Sequence, residues 1–111
     1  MRKVNIIKKN IDFERIITQK NFYKTPYFYI FVAKNELGFS RYGIGVSKKI
    51  KNVVTKNKIK RQVKAIINQN KLYNKAVDYV IIVNSDALLL NYSKLERCLL
   101  SIIKKINIKE K

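Results

Sequence analysis

Apolar residues recur along this chain at two spacings, and the spacing separates helices from strands. Phe13, Ile16 and Ile17 stand at i, i+3 and i+4, one face of a short helix. Asn10 is its expected N-cap, since its side-chain oxygen can accept a free N–H of the first turn. Asp12 and Glu14 near the start suit the helix dipole, and the helix is predicted to end near Lys20 or Asn21. Thr25-Pro26 breaks the pattern. Residues 27–33 (Tyr-Phe-Tyr-Ile-Phe-Val-Ala) are aromatic and β-branched and predict a strand. Asn35-Glu36-Leu37-Gly38 predicts a hairpin connection, with Gly38 free to take a positive φ. In the returning strand, residues 41–47, Tyr42, Ile44 and Val46 alternate with Gly43 and Gly45. The glycines leave one strand face bare for a close approach.

A second helix is predicted over 53–70. Ile59, Val63, Ile66 and Ile67 share one side of its wheel, and Asn57, Lys58, Lys60, Arg61 and Lys64 hold the other. Residues 76–83 are nearly all apolar, the mark of a strand covered on both faces. Ser93-Lys94-Leu95-Glu96 has the form of a capping box. Leu95, Cys98, Leu99, Ile102, Ile103 and Ile106 then follow at helical spacing, with Cys98 as a small buried apolar group. The order α-β-β-(β)-α-β-α predicts an α+β fold, a mixed, roughly four-stranded sheet packed with three helices. One domain over residues 1–111 is expected, with 1–9 and 107–111 loose.

Charge changes the picture from fold to partner. The 111 residues hold 25 Lys and Arg against seven Asp and Glu, a formal net charge of +18. Such self-repulsion makes sense beside a polyanion, and nucleic acid is the first candidate, ahead of an anionic membrane. There is no His and one Cys, so neither a zinc site nor an intrachain disulfide is expected. No apolar run approaches a signal peptide or a membrane span, which predicts a cytoplasmic protein with no membrane partner.

The basic residues concentrate where Lys48, Lys49, Lys51, Lys56, Lys58, Lys60, Arg61 and Lys64 are phased against apolar positions. No Asp or Glu occurs between Glu36 and Asp78. A helix face that is merely solvated usually mixes signs to form i,i+4 pairs. The single sign therefore points to phosphate contact.

This segment resembles the bacterial ribonuclease P protein family, which carries a pattern close to G-(I/L)-S-V-S-K-K-x-G-N-A-V-x-R-N-R-I-K-R. Here it reads Gly43-Ile44-Gly45-Val46-Ser47-Lys48-Lys49-Ile50-Lys51-Asn52-Val53-Val54-Thr55-Lys56-Asn57-Lys58-Ile59-Lys60-Arg61. The likeness extends to Lys8-Lys9-Asn10, Asp12-Phe13, Asp78-Tyr79-Val80-Ile81-Ile82 and Tyr92-Ser93-Lys94-Leu95-Glu96. Lys56-Asn57-Lys58 replaces Arg-Asn-Arg, which keeps the charge but loses the planar fork that grips phosphate with two hydrogen bonds. Lys51 replaces a common Gly, and Gly45 a common Ser.

The resemblance implies a protein subunit that binds a catalytic RNA and assists removal of the 5′ leader from precursor tRNA. It implies that the holoenzyme needs Mg²⁺, that the protein alone binds no cofactor, and that a left-handed βαβ crossover is present. RNA-subunit contacts are expected from Lys48, Lys49, Lys56, Asn57, Lys58, Lys60, Arg61 and Lys64. A leader-binding cleft is expected from Lys8, Lys9, Phe13, Phe28, Tyr29 and Phe31, with Phe31 where a Tyr is frequent. The residues alone support the cleft weakly. Single strands favour aromatic platforms beside cationic grooves, but Tyr27, Tyr29 and Phe31 share one strand face and Phe28 and Ile30 the other. Core packing of Phe13 and Phe28 stays open, and Tyr29 and Tyr42 are the better surface candidates.

No catalytic group and no metal site are expected within the chain. Protein ribonucleases rely on a His pair or a carboxylate cluster, and here Asp12, Glu14, Glu36, Asp78, Asp86, Glu96 and Glu110 are scattered. The alternatives left are a translation-associated RNA-binding protein and a stand-alone endonuclease.

Overall fold

The structure, a computed structural model, describes residues 5–7, 10–18, 21–72 and 76–109, with side chains of the last segment as far as Ile106. Three helices, α1 (Asn10–Thr18), α2 (Val53–Gln69) and α3 (Tyr92–Lys109), pack on one four-stranded sheet. Its strands are β1 (Phe22–Lys24), β2 (Phe28–Lys34), β3 (Arg41–Val46) and β4 (Val77–Val83). A short 3-10 turn, Ser85–Leu89, links β4 to α3. The expected α+β class and element order hold. The fourth strand is β1, three residues that pair antiparallel with β2.

The sheet order is β1-β2-β4-β3. β4 pairs antiparallel with β2 and parallel with β3, so β2 and β3 do not touch as a hairpin. The Asn35–Gly38 connection therefore spans a strand instead of turning between neighbours. Gly38 does take a positive φ, +80°. Asn35 shapes the loop by accepting from the Leu37 N–H and donating to the Phe39 carbonyl. β4, whose nearly continuous apolar run predicts cover on both faces, is paired on both edges and lies between the two helix layers.

The hand of the β3–α2–β4 crossover follows from chirality. Val83 points its side chain into the α2–α3 side of the sheet, and its carbonyl accepts from the Ser47 N–H beyond β3 at 2.9 Å. For an L-residue in a strand drawn upward, side chain toward the viewer, the carbonyl points right. Seen from α2, β3 thus stands right of β4, and the chain moves left through the helix. The crossover is left-handed, against the usual hand.

Each face of the sheet has its own cluster. Phe28, Ile30, Val32, Tyr42, Tyr79, Ile81 and Val83 meet α2 through Ile59, Val63, Ile66 and Ile67, and α3 through Leu95, Leu99, Ile102, Ile103 and Ile106. On the other face α1 covers a small cluster of Ile7, Ile16, Ala33 and Val80. The cap of α3 differs from expectation. Asn52 caps α2 by accepting from the Thr55 N–H. For α3 the cap is Asn91, which accepts from the Lys94 N–H, not Ser93; Glu96 instead accepts from Asn70. Residues 5–7 lie along β3 through the Ile7 N–H bond to the Tyr42 carbonyl, and α3 runs through Lys109.

Candidate nucleic-acid interface

The cationic surface arises from how α2 is pinned. Its apolar stripe is buried against the sheet, so Asn57, Lys58, Arg61 and Lys64 must face solvent, with Lys56 and Lys60 half-buried at the margins. Lys48 and Lys49 are exposed in the loop between β3 and α2. None of these residues pairs with an acid among the described residues. The unpaired field is what the missing acids between Glu36 and Asp78 foreshadow.

The second site lies on the opposite face of the sheet. Strand register sets Phe22, Phe31, Val80 and Gly43 in one row and Lys24, Tyr29, Ile82 and Gly45 in the next. α1 reaches only the first row. A Cβ built on Gly43 would lie 2.5 Å from the Phe13 ring, so the phenyl of α1 occupies the space that the glycine leaves. At Gly45 the nearest atom is Ile82 Cγ1 at 3.9 Å, and no helix fills the gap. The result is a trough beside α1, floored by backbone and walled by aromatic rings. Phe22 packs on Phe31 with ring centroids 4.8 Å apart and meets Tyr29 edge-on at 5.7 Å. Lys24 holds its ammonium 5.5 Å from the Tyr29 ring centroid, a cation–π contact at the rim.

The expected cleft residues divide. Phe13, Tyr29 and Phe31 come together in this trough. Phe28 does not: it points to the other face, wholly buried under α2 and α3. A strand alternates its side chains, so Phe28 and Phe31 cannot line one surface. Tyr42, expected at the surface, is buried as well, stacked on Tyr79 at 4.8 Å with its hydroxyl donating to the Leu72 carbonyl. Lys8 and Lys9 lie outside the described residues. Phe22 and Lys24 were missed because a three-residue strand leaves no periodicity to read; an aromatic and a lysine just before Thr25-Pro26 were the available signal.

What holds α1 over the sheet is a charged knot. Asp78, fully buried on β4, accepts from Arg41 Nε at 2.9 Å and Nη2 at 2.6 Å, from Arg15 Nη2 at 2.6 Å and from Asn35 Nδ2 at 2.8 Å. Arg41 also lies 3.6 Å from Asp12. Burial disfavours the carboxylate, but the hydrogen bonds from Arg41, Asn35 and Arg15 and the Arg41 charge outweigh it, and the pKa of Asp78 falls below the ordinary range. Its hydrogen bond raises that of Arg41 against the opposing effect of burial. A lone acid inside an apolar strand demands such partners. That signal was legible in Asp78, though not which arginines would answer it.

The trough opens at the carboxyl end of β3 and β4 into a cleft of about 370 Å³. Lys24, Tyr29, Ser47, Lys49, Asn84 and Asp86 are among its walls. No group of three or more His, Cys, Asp or Glu placed to hold a metal occurs among the described residues. Nor, among them, is any helix long and apolar enough to cross a membrane.

Comparison with known proteins agrees with this architecture. The family described as Ribonuclease P matches residues 1–107. The Ribonuclease P protein component of Mycoplasma capricolum is 39% identical over 108 residues, covering 96% of this chain and 99% of the relative. The RNase P protein of Staphylococcus aureus superposes with a TM-score of 0.85 at 31% identity, over 94% of this chain and 96% of that one. The protein from Thermotoga maritima gives 0.80 at 26% identity, covering 89% and 94%.

Proposed function

Since the chain belongs to the ribonuclease P protein family, we propose that it is the non-catalytic subunit of that endoribonuclease. In this reading it grips the ribonuclease P RNA with the outer face of α2 and holds the 5′ leader of precursor tRNA in the trough beside α1. Membership implies a ribonuclease P RNA partner and a place in tRNA processing. The finer assignment rests on the geometry of two surfaces.

Lys56, Lys58, Arg61 and Lys64 stand on a helix whose other side is locked into the core, so they form a rigid positive face. A rigid lattice of charges suits a folded RNA, whose phosphates are also fixed, and binding releases condensed counterions. Lys48, Lys49, Asn57 and Lys60 extend that contact. The trough suits a single strand instead. Its rings offer stacking worth about 1–3 kcal/mol per base, and its bare floor at Gly45 admits a base edge. The observation that carries the reading is this division: one surface charged and convex, the other aromatic and concave, on opposite sides of one sheet.

Phosphodiester hydrolysis, in this reading, belongs to the RNA with its Mg²⁺. The fate of the acids supports that assignment. Asp78 is consumed by Arg15 and Arg41, Asp12 adjoins Arg41, and Glu96 accepts from Asn70. Among the described residues no group of three or more His, Cys, Asp or Glu is placed to hold a metal. The protein's contribution is then electrostatic and positional: it offsets phosphate repulsion and fixes the leader near the scissile bond.

The test is cleavage of a precursor tRNA at low Mg²⁺ by the protein alone, by a ribonuclease P RNA alone and by both. Activity in the mixture well above either component is expected. Cleavage by the protein alone would overturn the reading.

A further inference from the structure

We propose that the cleft beyond the trough is a guanine-selective subsite for the leader, and that Asp86 reads the base. This deepens the leader reading and rests on it.

The cleft continues the trough. Ser47 and Asn84 extend the rows of Gly45 and Ile82 by one step, so they lie on the same face. The ladder persists there through Ser47 N–H to the Val83 carbonyl and Asn84 N–H to the Tyr27 carbonyl. Lys24 and Tyr29 belong to both trough and cleft. A strand leaving the aromatic rings therefore runs into this cavity, whose volume of about 370 Å³ suits a single nucleotide.

Asp86 is the anomaly. It is exposed on the cleft wall, and its carboxylate makes no ion pair or hydrogen bond among the described residues. In a chain of net charge +18, a free carboxylate placed in a path for phosphates weakens that path. A carboxylate only accepts hydrogen bonds, so its ligand must donate. Guanine presents N1–H and N2–H side by side, a pair of parallel donors that matches the two carboxylate oxygens as a guanidinium does. Adenine and cytosine each set a single amine beside a ring lone pair, and uracil sets its N–H between two carbonyls. In each of these the lone pairs face the carboxylate and oppose binding. Tyr29 supplies a ring against which the base lies, and Lys24 and Lys49 flank it where the phosphates on either side pass.

The experiment measures the affinity of the reconstituted holoenzyme for precursor tRNAs whose leader holds one guanine, moved position by position. Binding about 10-fold tighter is expected at a single position, as one bidentate base contact provides. Inosine there, which lacks the 2-amino group, should lose much of that gain. Asp86→Ala and Asp86→Asn should each reduce the preference to within about 2-fold, since neither presents two acceptors. Asp86 is exposed, and an unchanged melting temperature would show that both variants fold. Preference at no position, or preference that survives Asp86→Ala, would overturn the proposal while leader-bearing tRNA still outbinds mature tRNA. Equal affinity for leader-bearing and mature tRNA would instead overturn the leader reading, and this proposal with it.

Discussion

The two faces of the sheet are built by opposite rules. The face under α2 and α3 is closed by large side chains from β2, β3 and β4: Phe28, Ile30, Tyr42, Tyr79 and Ile81 are all almost wholly buried. The face under α1 is held with little apolar contact. Its buried cluster has four members, and its fastening is the Asp78 knot with Arg15 and Arg41. A short helix anchored by charge covers only part of a sheet, and the uncovered rows become the trough. The lesson is that the ion pairs substitute for packing where packing would have filled the site.

Breaking the knot should have the largest effect. Asp78→Ala is expected to cost about 3 kcal/mol in chemical denaturation, the low end for a buried pair because Arg15 and Arg41 keep some solvent access. A loss below about 1 kcal/mol, the worth of a surface pair, would show that α1 is held by apolar contact after all. The same group sets the acid limit. The folded pKa of Asp78 lies below its unfolded value near 3.9, so its stabilisation is full above that value and fades as pH falls through the lower, folded one. Asp78→Asn should flatten this part of the pH–stability curve.

The glycines sharpen the contrast within a single strand. Gly43→Ala forces a methyl into the Phe13 ring and should destabilise the fold by about 2 kcal/mol. Gly45→Ala meets only Ile82 at ordinary contact distance and should change stability by less than about 0.5 kcal/mol. Equal melting temperatures for the two variants would mean that α1 does not sit on Gly43.

Function should separate along the same line. Phe31→Ala is expected to weaken binding of leader-bearing tRNA by about 1–2 kcal/mol and leave mature tRNA little changed. Equal losses for both would remove the trough from leader binding. On the other surface, replacing Lys56, Lys58 and Arg61 together by Ala should lower the slope of log affinity for the RNA subunit against log salt by about 2 to 3, with the melting temperature unchanged. An unaltered slope would place the RNA contact elsewhere. On the closed face, Tyr42→Phe loses one hydrogen bond to the Leu72 carbonyl and should cost about 1 kcal/mol.

The sequence by itself determined the cationic helix, because a 3.6-residue period that buries Ile59, Val63, Ile66 and Ile67 leaves Lys58, Arg61 and Lys64 no other side. It determined that β4 lies between two layers, because a nearly continuous apolar run needs cover on both faces. Its family resemblance reached the partner and the left-handed crossover. Strand neighbours were beyond it. Asn35–Gly38 has the composition of a hairpin turn, yet β4 enters between β2 and β3, because pairing is decided by contacts distant in sequence. Which face of β2 stays open was also a tertiary decision. Alternation says that Phe28 and Phe31 part company, but only the side taken by α1, through Asp78 and its arginines, says which of them stands in the open trough.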